Sequence, residues 1–294
     1  TLENPVYAKN DSGVADTFNP VLMTGNNTFT GDLTVRQGGL RVALNGAAAA
    51  EGSRISHALG RNNAIHVDNA GLGYLDLGGL IAGVDGNTLY LGGMGPRMAM
   101  GTLINMNPDP LAVGEWRGPL VIASETRLGG VTEAANGAAG GGNLKLSGAV
   151  RGSHDLHLIS SRTVEFAGDF SSYSGDVSVE SGYLRLGKGY VGGSGKIDFK
   201  AGSGYLFASS NDVDLTKQSY STPQAMVLRV EEGVDYAPVQ GLAYANAVYK
   251  QGAGTLTLKA SGTRAAEIST FTTLLKVEDG TVVLDYSGET SGSK

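Results

Sequence analysis

The sequence contains no cysteine, and this absence excludes both a disulfide-stapled small domain and a metal site built on thiolates. Proline is scarce, with eight residues, and the 46 glycines follow no period of three, so a collagen triple helix is also excluded. Charged residues make up only 17% of the chain, and the formal net charge is −6. This acidic balance argues against a nucleic-acid partner.

Long hydrophobic runs are missing as well. No stretch approaches the ~20 apolar residues that a membrane-crossing helix needs, so we expect no membrane-spanning segment in this chain. With 294 residues, 41% of them hydrophobic, the chain is long enough to bury a sizeable core without a covalent or metal staple.

Helical patterning is almost absent. The best candidate is the alanine run at residues 47–50, which offers one turn at most because glycines flank it. Short runs that alternate apolar and polar residues are frequent instead, as at residues 33–35, 183–186 and 255–258. A period of two is typical of strands with one buried face, and strands this short suit a sandwich, a barrel or a coiled β-solenoid.

Internal repetition favours the solenoid. Residues 29–42 align with residues 173–186: each has an aromatic residue, a Gly-Asp pair, a strand, a glycine-containing turn and a second strand. Residues 271–284 form a third copy that lacks the Gly-Asp pair. One such unit cannot bury its apolar stripe alone, whereas stacked units bury a continuous core.

The repeat also predicts the conformation of each copy. The inward-facing positions of the first copy are Leu33, Val35, Leu40 and Val42. Glycines with positive φ are expected at the turns, at Gly38, Gly182 and Gly280. A one-residue corner cannot form a tight hairpin, so two short strands bend around the corner and pair with the coils above and below. The alternative is a β-sandwich whose strands are similar by coincidence.

These segments resemble the autotransporter-associated β-strand repeat. The resemblance lies in residues 25–31, which read Gly-Asn-Asn-Thr-Phe-Thr-Gly, and in the glycine-flanked strands at residues 141–148 and 252–262. It covers about a third of the chain directly. It implies a right-handed parallel β-helix of the kind found in secreted passengers. The polar ending at residues 287–294 predicts that no C-terminal membrane barrel is included.

The predicted organisation has three parts. Residues 1–22 form an N-terminal arm or cap, residues 23–287 form the solenoid, and residues 288–294 form a polar tail. Irregular side loops are expected at about residues 94–119 and 217–249, where proline, methionine and tyrosine cluster.

The two irregular stretches supply candidate interaction residues, because methionine, tryptophan and tyrosine are adaptable contact residues. The candidates are Met94, Met98, Trp116, Tyr220, Tyr236 and Tyr244. The structural alternative is that the first stretch folds back over the solenoid and that the tyrosines cover its core.

Residue types that carry catalysis or bind metal occur without a convincing pattern. His154 and His157 form the one histidine cluster. Residues 83–87, a partial match to a calcium-binding repeat, and the two carboxylates within residues 211–214 are better explained as solvated turns than as calcium sites. The carboxylates show no pairing of the kind that glycosidases need. We therefore expect no catalytic site, no metal and no cofactor.

The sequence predicts an extracellular, non-enzymatic β-helical protein with a structural, adhesive or self-assembling role. Its location would be secreted or on a bacterial cell surface, since the lack of cysteine fits export. Its partners would be copies of itself or a cell-surface or glycan ligand. One alternative is a polysaccharide-processing β-helix, such as a lyase or a tailspike-like depolymerase. Another is a filament or surface-layer subunit.

Overall fold

The computed structural model describes residues 2–3, 20–44, 52–67, 73–95, 101–130, 141–200, 205–208, 219–221, 225–237, 247–261 and 274–288. Every regular element within these ranges is a β-strand, and no helix occurs in them. The strands are β1 (Leu2–Glu3), β2 (Val21–Met23), β3 (Leu33–Val42), β4 (Ala64–Val67), β5 (Gly73–Asp76), β6 (Ile81–Ala82), β7 (Thr88–Gly93), β8 (Leu103–Ile104), β9 (Val113–Trp116), β10 (Leu120–Gly130), β11 (Asn143–Leu146), β12 (Val150–Gly152), β13 (Leu156–Phe166), β14 (Ser172–Tyr173), β15 (Val177–Leu186), β16 (Lys196–Phe199), β17 (Tyr205–Ala208), β18 (Ser219–Ser221), β19 (Ala225–Val230), β20 (Asp235–Tyr236), β21 (Ala247–Gln251), β22 (Thr255–Ser261), β23 (Leu274–Val277) and β24 (Thr281–Gly288).

These strands pair in parallel with the coils before and after them. One line of register partners runs through Leu40, Leu75, Leu103, Leu128, Leu158 and Val179. A sandwich built from hairpins would contain antiparallel pairs, so that alternative is wrong for the described residues. The chain is a β-solenoid, as the repeat predicted.

The core is a continuous apolar column along the solenoid axis. The predicted inward positions Leu33, Val35, Leu40 and Val42 are all buried, and so are their counterparts in the second copy. A fully buried leucine or valine stabilises a fold by about 1.5–3 kcal/mol relative to an exposed one. Each coil therefore depends on its neighbours, because its inward side chains are covered only when another coil stacks on it.

The turn glycines adopt the predicted conformation. Gly38, Gly182 and Gly280 have φ of 75°, 82° and 75°. At Gly38 and Gly182 the strand does not end, however: β3 and β15 are each ten residues long and include the glycine. The prediction of two short strands around a corner was therefore wrong for the first two copies. It was right for the third copy, where β23 ends at Val277 and β24 begins at Thr281. A positive φ bends the backbone locally, and a shift of register in the β13–β15 ladder absorbs the bend.

Coil length varies along the chain. Register partners lie 20 residues apart at Val164 and Leu184 but 35 residues apart at Leu40 and Leu75. The inward apolar positions stack on one another in short and long coils alike. The additional residues of the longer coils lie in the connections between strands.

The two stretches predicted as irregular side loops contain regular strands. β8 and β9 lie within residues 94–119, and β9 pairs with β6 on one side and β11 on the other. Residues 217–249 contain β18, β19, β20 and the start of β21. Proline is compatible with this arrangement because Pro108, Pro110 and Pro119 fall between strands.

The ends of the solenoid differ from its middle. β1 and β2, from the predicted N-terminal cap, pair with β3, while residues 1 and 4–19 lie outside the described ranges. At the other end, Val277 and Leu284 occupy inward positions of the third repeat copy but are 48% and 50% exposed. Within the described residues, no later coil covers them. Of the predicted tail, Gly288 ends β24 and residues 289–294 lie outside the described ranges.

Candidate functional site

The structure places the predicted interaction residues in different environments. Trp116 is 0% exposed and Tyr236 only 3%, so both belong to the core and neither forms a docking surface. Met94 is half-buried. The backbone of Tyr220 lies in β18, but its side chain is outside the description, and Met98 and Tyr244 lie outside the described residues. The prediction for Trp116 was wrong because alternation along β9 turns its indole inward.

The outward positions of one face form a ladder of alternating charge. Glu115, Lys145, Glu165 and Arg185 are successive register partners on β9, β11, β13 and β15. The Lys145 ammonium lies 3.1 Å from Glu165, and Arg185 Nη2 lies 2.7 Å from Glu231. Opposite charges on adjacent strands stabilise a sheet by about 0.2–1 kcal/mol per pair. This ladder therefore holds the coils together.

Glu115, the first residue of this ladder, has a shifted pKa. Burial by itself would raise the pKa of Glu115, but hydrogen bonds from Arg117 and Ser147, with the positive charges of Arg117 and Lys145, outweigh it. The pKa of Glu115 is therefore held below its ordinary value, and the carboxylate stays ionised near neutral pH.

His157 bridges three successive coils. Its Nδ1 lies 2.6 Å from Glu180 on β15, and its Nε2 lies 2.7 Å from Glu125 on β10. Both ring nitrogens are thus occupied by carboxylates, a geometry that ties strands together. His154, its predicted companion, is exposed in the preceding turn. In the segment at residues 83–87, a carboxylate oxygen of Asp85 lies 2.9 Å from the Nδ1 of His57.

A first concave surface, the aromatic groove, encloses about 480 Å³ on the outer face of β4, β7 and β10. Its lining consists of Thr34, His66, Val67, Tyr90, Gly92, Ala123 and Ser124. The rings of His66 and Tyr90 stack with their centroids 4.7 Å apart. The hydroxyl of Ser124 is buried there without a hydrogen-bond partner. An aromatic pair beside an unsatisfied hydroxyl could contact an apolar or sugar-like group.

A second concave surface, the arginine groove, encloses about 470 Å³. Its lining consists of Pro110, Leu111, Asn143, Ser161, Arg162, Thr163, Tyr183, Arg229 and Gln251. None of these residues is acidic. Pro110 and Leu111 come from the connection before β9, and Leu111 is 82% exposed. Of the predicted stretch at residues 94–119, Pro110 and Leu111 line this groove, whereas Trp116 is buried in the core.

Local hydrogen bonds position the floor of the arginine groove. The Asn143 side chain donates to the carbonyl of Pro110 at 3.0 Å and accepts from the Thr163 amide at 3.1 Å. Thr163 and Tyr183 are register partners on adjacent strands, as are Arg229 and Gln251. The groove therefore runs along the solenoid axis across several coils. Sequence reasoning missed it because its residues converge only through the register.

The described part of the chain contains no group of three or more histidine, aspartate or glutamate side chains that could hold a metal ion. Nor do the described residues form any helix that is long and apolar enough to cross a membrane.

Comparison with known proteins bears on the first repeat copy. The family model of the passenger-associated-transport-repeat matches residues 21–42. The chain carries a passenger-like repeat. This match confirms the resemblance to autotransporter passengers. No curated protein and no solved structure gives a significant match to the chain.

The passenger-like repeat corresponds to one closed coil. Its first residues, Val21 to Met23 in β2, lie in register with Leu40 to Val42 at the end of β3. The matched segment is thus the length of chain that leaves one strand, turns, and returns directly onto it. Stacking is therefore a property of the repeat itself.

Proposed function

We propose that this chain is an extracellular, non-enzymatic β-solenoid with a structural or adhesive role, either secreted or on a bacterial cell surface. The observation that carries the proposal is the passenger-like repeat at residues 21–42, which forms a closed coil of a parallel solenoid. Backbone pairing along the axis and a dry core resist unfolding without disulfides. The outer face, with its two open grooves, offers the surface for contact.

Adhesion and polysaccharide processing are distinguished by the fate of the glycan. The purified chain is incubated with immobilised bacterial and host glycans, and both retention and newly formed reducing or unsaturated ends are measured. An adhesive protein retains a glycan that is recovered at its original length. Release of shortened products would overturn the non-enzymatic assignment and favour the lyase or depolymerase alternative.

The last described coil favours a second candidate function, self-assembly. Val277 and Leu284 are inward-facing yet about half exposed, and in the described residues β23 and β24 each pair on one side only. A second copy stacked on this edge would bury both side chains and satisfy its backbone groups. This arrangement corresponds to a filament subunit.

Sedimentation velocity over a wide concentration range tests self-assembly. Association that rises with concentration is expected, and Leu284→Asp should abolish it because a charge would enter the stacked core. Val283→Asp is the matched control, since Val283 is 40% exposed on the same strand but faces the opposite side. A monomer at all concentrations, or equal effects of both variants, would contradict this function.

A further inference from the structure

The arginine groove contains polar groups that the fold leaves without partners. The Nε atom of Arg162 and the hydroxyl of Ser161 are buried and have no hydrogen-bond partner among the described residues. Buried donors without acceptors cost about 1–3 kcal/mol each, so proteins retain few of them. Two such groups from adjacent residues in one open groove indicate a place where a hydrogen-bond acceptor of a ligand binds.

Arg162 differs from Arg117 and Arg185 on the outer face. Arg117 pairs with Glu115 at 3.1 Å and Arg185 pairs with Glu231 at 2.7 Å, whereas no carboxylate of the described residues lies within ion-pair distance of Arg162. The carboxylates of Glu165 and Glu278 pair with lysines, and that of Glu231 pairs with Arg185. The groove is therefore a cationic site on a protein whose net charge is −6.

The remaining lining has the character of a sugar-binding surface. Tyr183 supplies an aromatic ring, Leu111 an exposed apolar wall, and Asn143 and Gln251 supply side-chain amides. Aromatic rings pack against the apolar faces of ligands, and amides and hydroxyls bond to hydroxyl groups. The guanidinium groups of Arg162 and Arg229 suit bidentate binding of carboxylates.

The direction of the groove favours an extended ligand. Its described lining spans the stack from β11 to β21, which rises by five strand spacings of about 4.8 Å, or roughly 24 Å. A polymer that lies along the axis would contact several coils at once.

We propose that the arginine groove binds an acidic oligosaccharide, with Arg162 and Arg229 holding sugar carboxylates and Tyr183 packing against a sugar ring. The proposal rests on the adhesive function and names the chemical class of its ligand.

Binding of the full chain to defined acidic sugars tests the proposal. Oligogalacturonate, a hyaluronan oligosaccharide and oligosialic acid are titrated by calorimetry, with methyl-esterified oligogalacturonide as the uncharged counterpart. At least one acidic sugar should bind, and esterification should weaken binding at least tenfold. No binding of any acidic sugar, or equal binding of the ester, would overturn the proposal.

Matched variants locate the site. Arg162→Gln should weaken binding at least tenfold without changing the unfolding temperature, because the side chain has no acceptor to lose in the described structure. Arg151→Gln removes one exposed positive charge outside the groove and should change affinity less than twofold. Equal effects of both variants would indicate general charge attraction and overturn the site. Tighter binding of oligoglutamate, also lost in Arg162→Gln, would replace the sugar with an acidic peptide.

The experiments distinguish an error in the groove proposal from an error in the proposed adhesive function. If the wild-type chain adheres to cells or glycans and Arg162→Gln adheres equally well, only the groove is wrong. If the wild-type chain adheres to no cell or glycan, the adhesive function fails as well.

Discussion

Lys250 and Leu228 are register partners on adjacent strands, and both side chains are completely buried. A lysine thus occupies a core position that is filled by leucine one coil earlier. Its Nζ donates hydrogen bonds to the carbonyl oxygens of Gln251, Gly252 and Asp279, at 3.0, 2.5 and 2.9 Å. Because Asp279 lies in the turn of the next coil, Lys250 ties the last two described coils together.

The pH dependence of stability should reveal this amine. Burial lowers the pKa of Lys250, so in a window below the ordinary value of 10.5 the unfolded chain binds more protons than the folded one. Stability therefore rises with pH through that window. Comparison of denaturant unfolding between pH 7.5 and 10.5 should show that the wild type gains stability relative to Lys250→Met. A constant difference across this range would contradict the assignment.

Glu115 should affect stability in the acidic range. Its lowered pKa means that its contribution is complete above the unfolded value of about 4.5 and is lost as the pH falls through the folded pKa. We expect Glu115→Gln to destabilise the protein by about 1 kcal/mol at pH 7. The difference from the wild type should shrink below pH 4.5, as measured by urea unfolding at each pH. A difference that stays unchanged down to the lowest pH at which both proteins remain folded would exclude this origin.

Gly182 should tolerate no side chain. Its φ is 82°, and a methyl group there would overlap the carbonyl oxygens of Ser160 and Arg162. We expect Gly182→Ala to lower the free energy of unfolding by at least about 1–3 kcal/mol. Gly31→Ala is the control, because no atom lies within 4 Å of the added methyl and φ is not positive there. Equal urea midpoints for the two variants would refute the role of the turn.

Substitutions of Trp116 and Leu111 should have very different effects on stability, because one residue lies in the core and the other on the surface of residues 94–119. Trp116 is fully buried, and its Nε1 donates to the Pro119 carbonyl at 3.3 Å, so Trp116→Ala should cost about 3–5 kcal/mol. Leu111 is 82% exposed, and Leu111→Ala should change stability by less than about 0.5 kcal/mol. The free energy of unfolding of both variants is measured by circular dichroism, because this signal does not require the tryptophan that one variant lacks. A stable Trp116→Ala protein would place the side chain outside the core.

The sequence by itself determined the elementary coil. Alternation placed Leu33, Val35 and Leu40 inward, and the repeat located the positive-φ glycines, because both depend on local backbone geometry. The solenoid followed, since such a coil can bury its apolar stripe only by stacking.

The tertiary structure alone decided the register between coils, because coil length varies and the additional residues leave no periodic signal. Pairing with β6 and β11 made β9 a strand within a stretch where proline predicted a loop, and the register placed Lys250 next to Leu228 in the core. It also brought Arg162 and Arg229 into one groove across coils. Local patterning specifies which face of a strand is buried, but the neighbour on the next coil depends on how much chain each turn consumes.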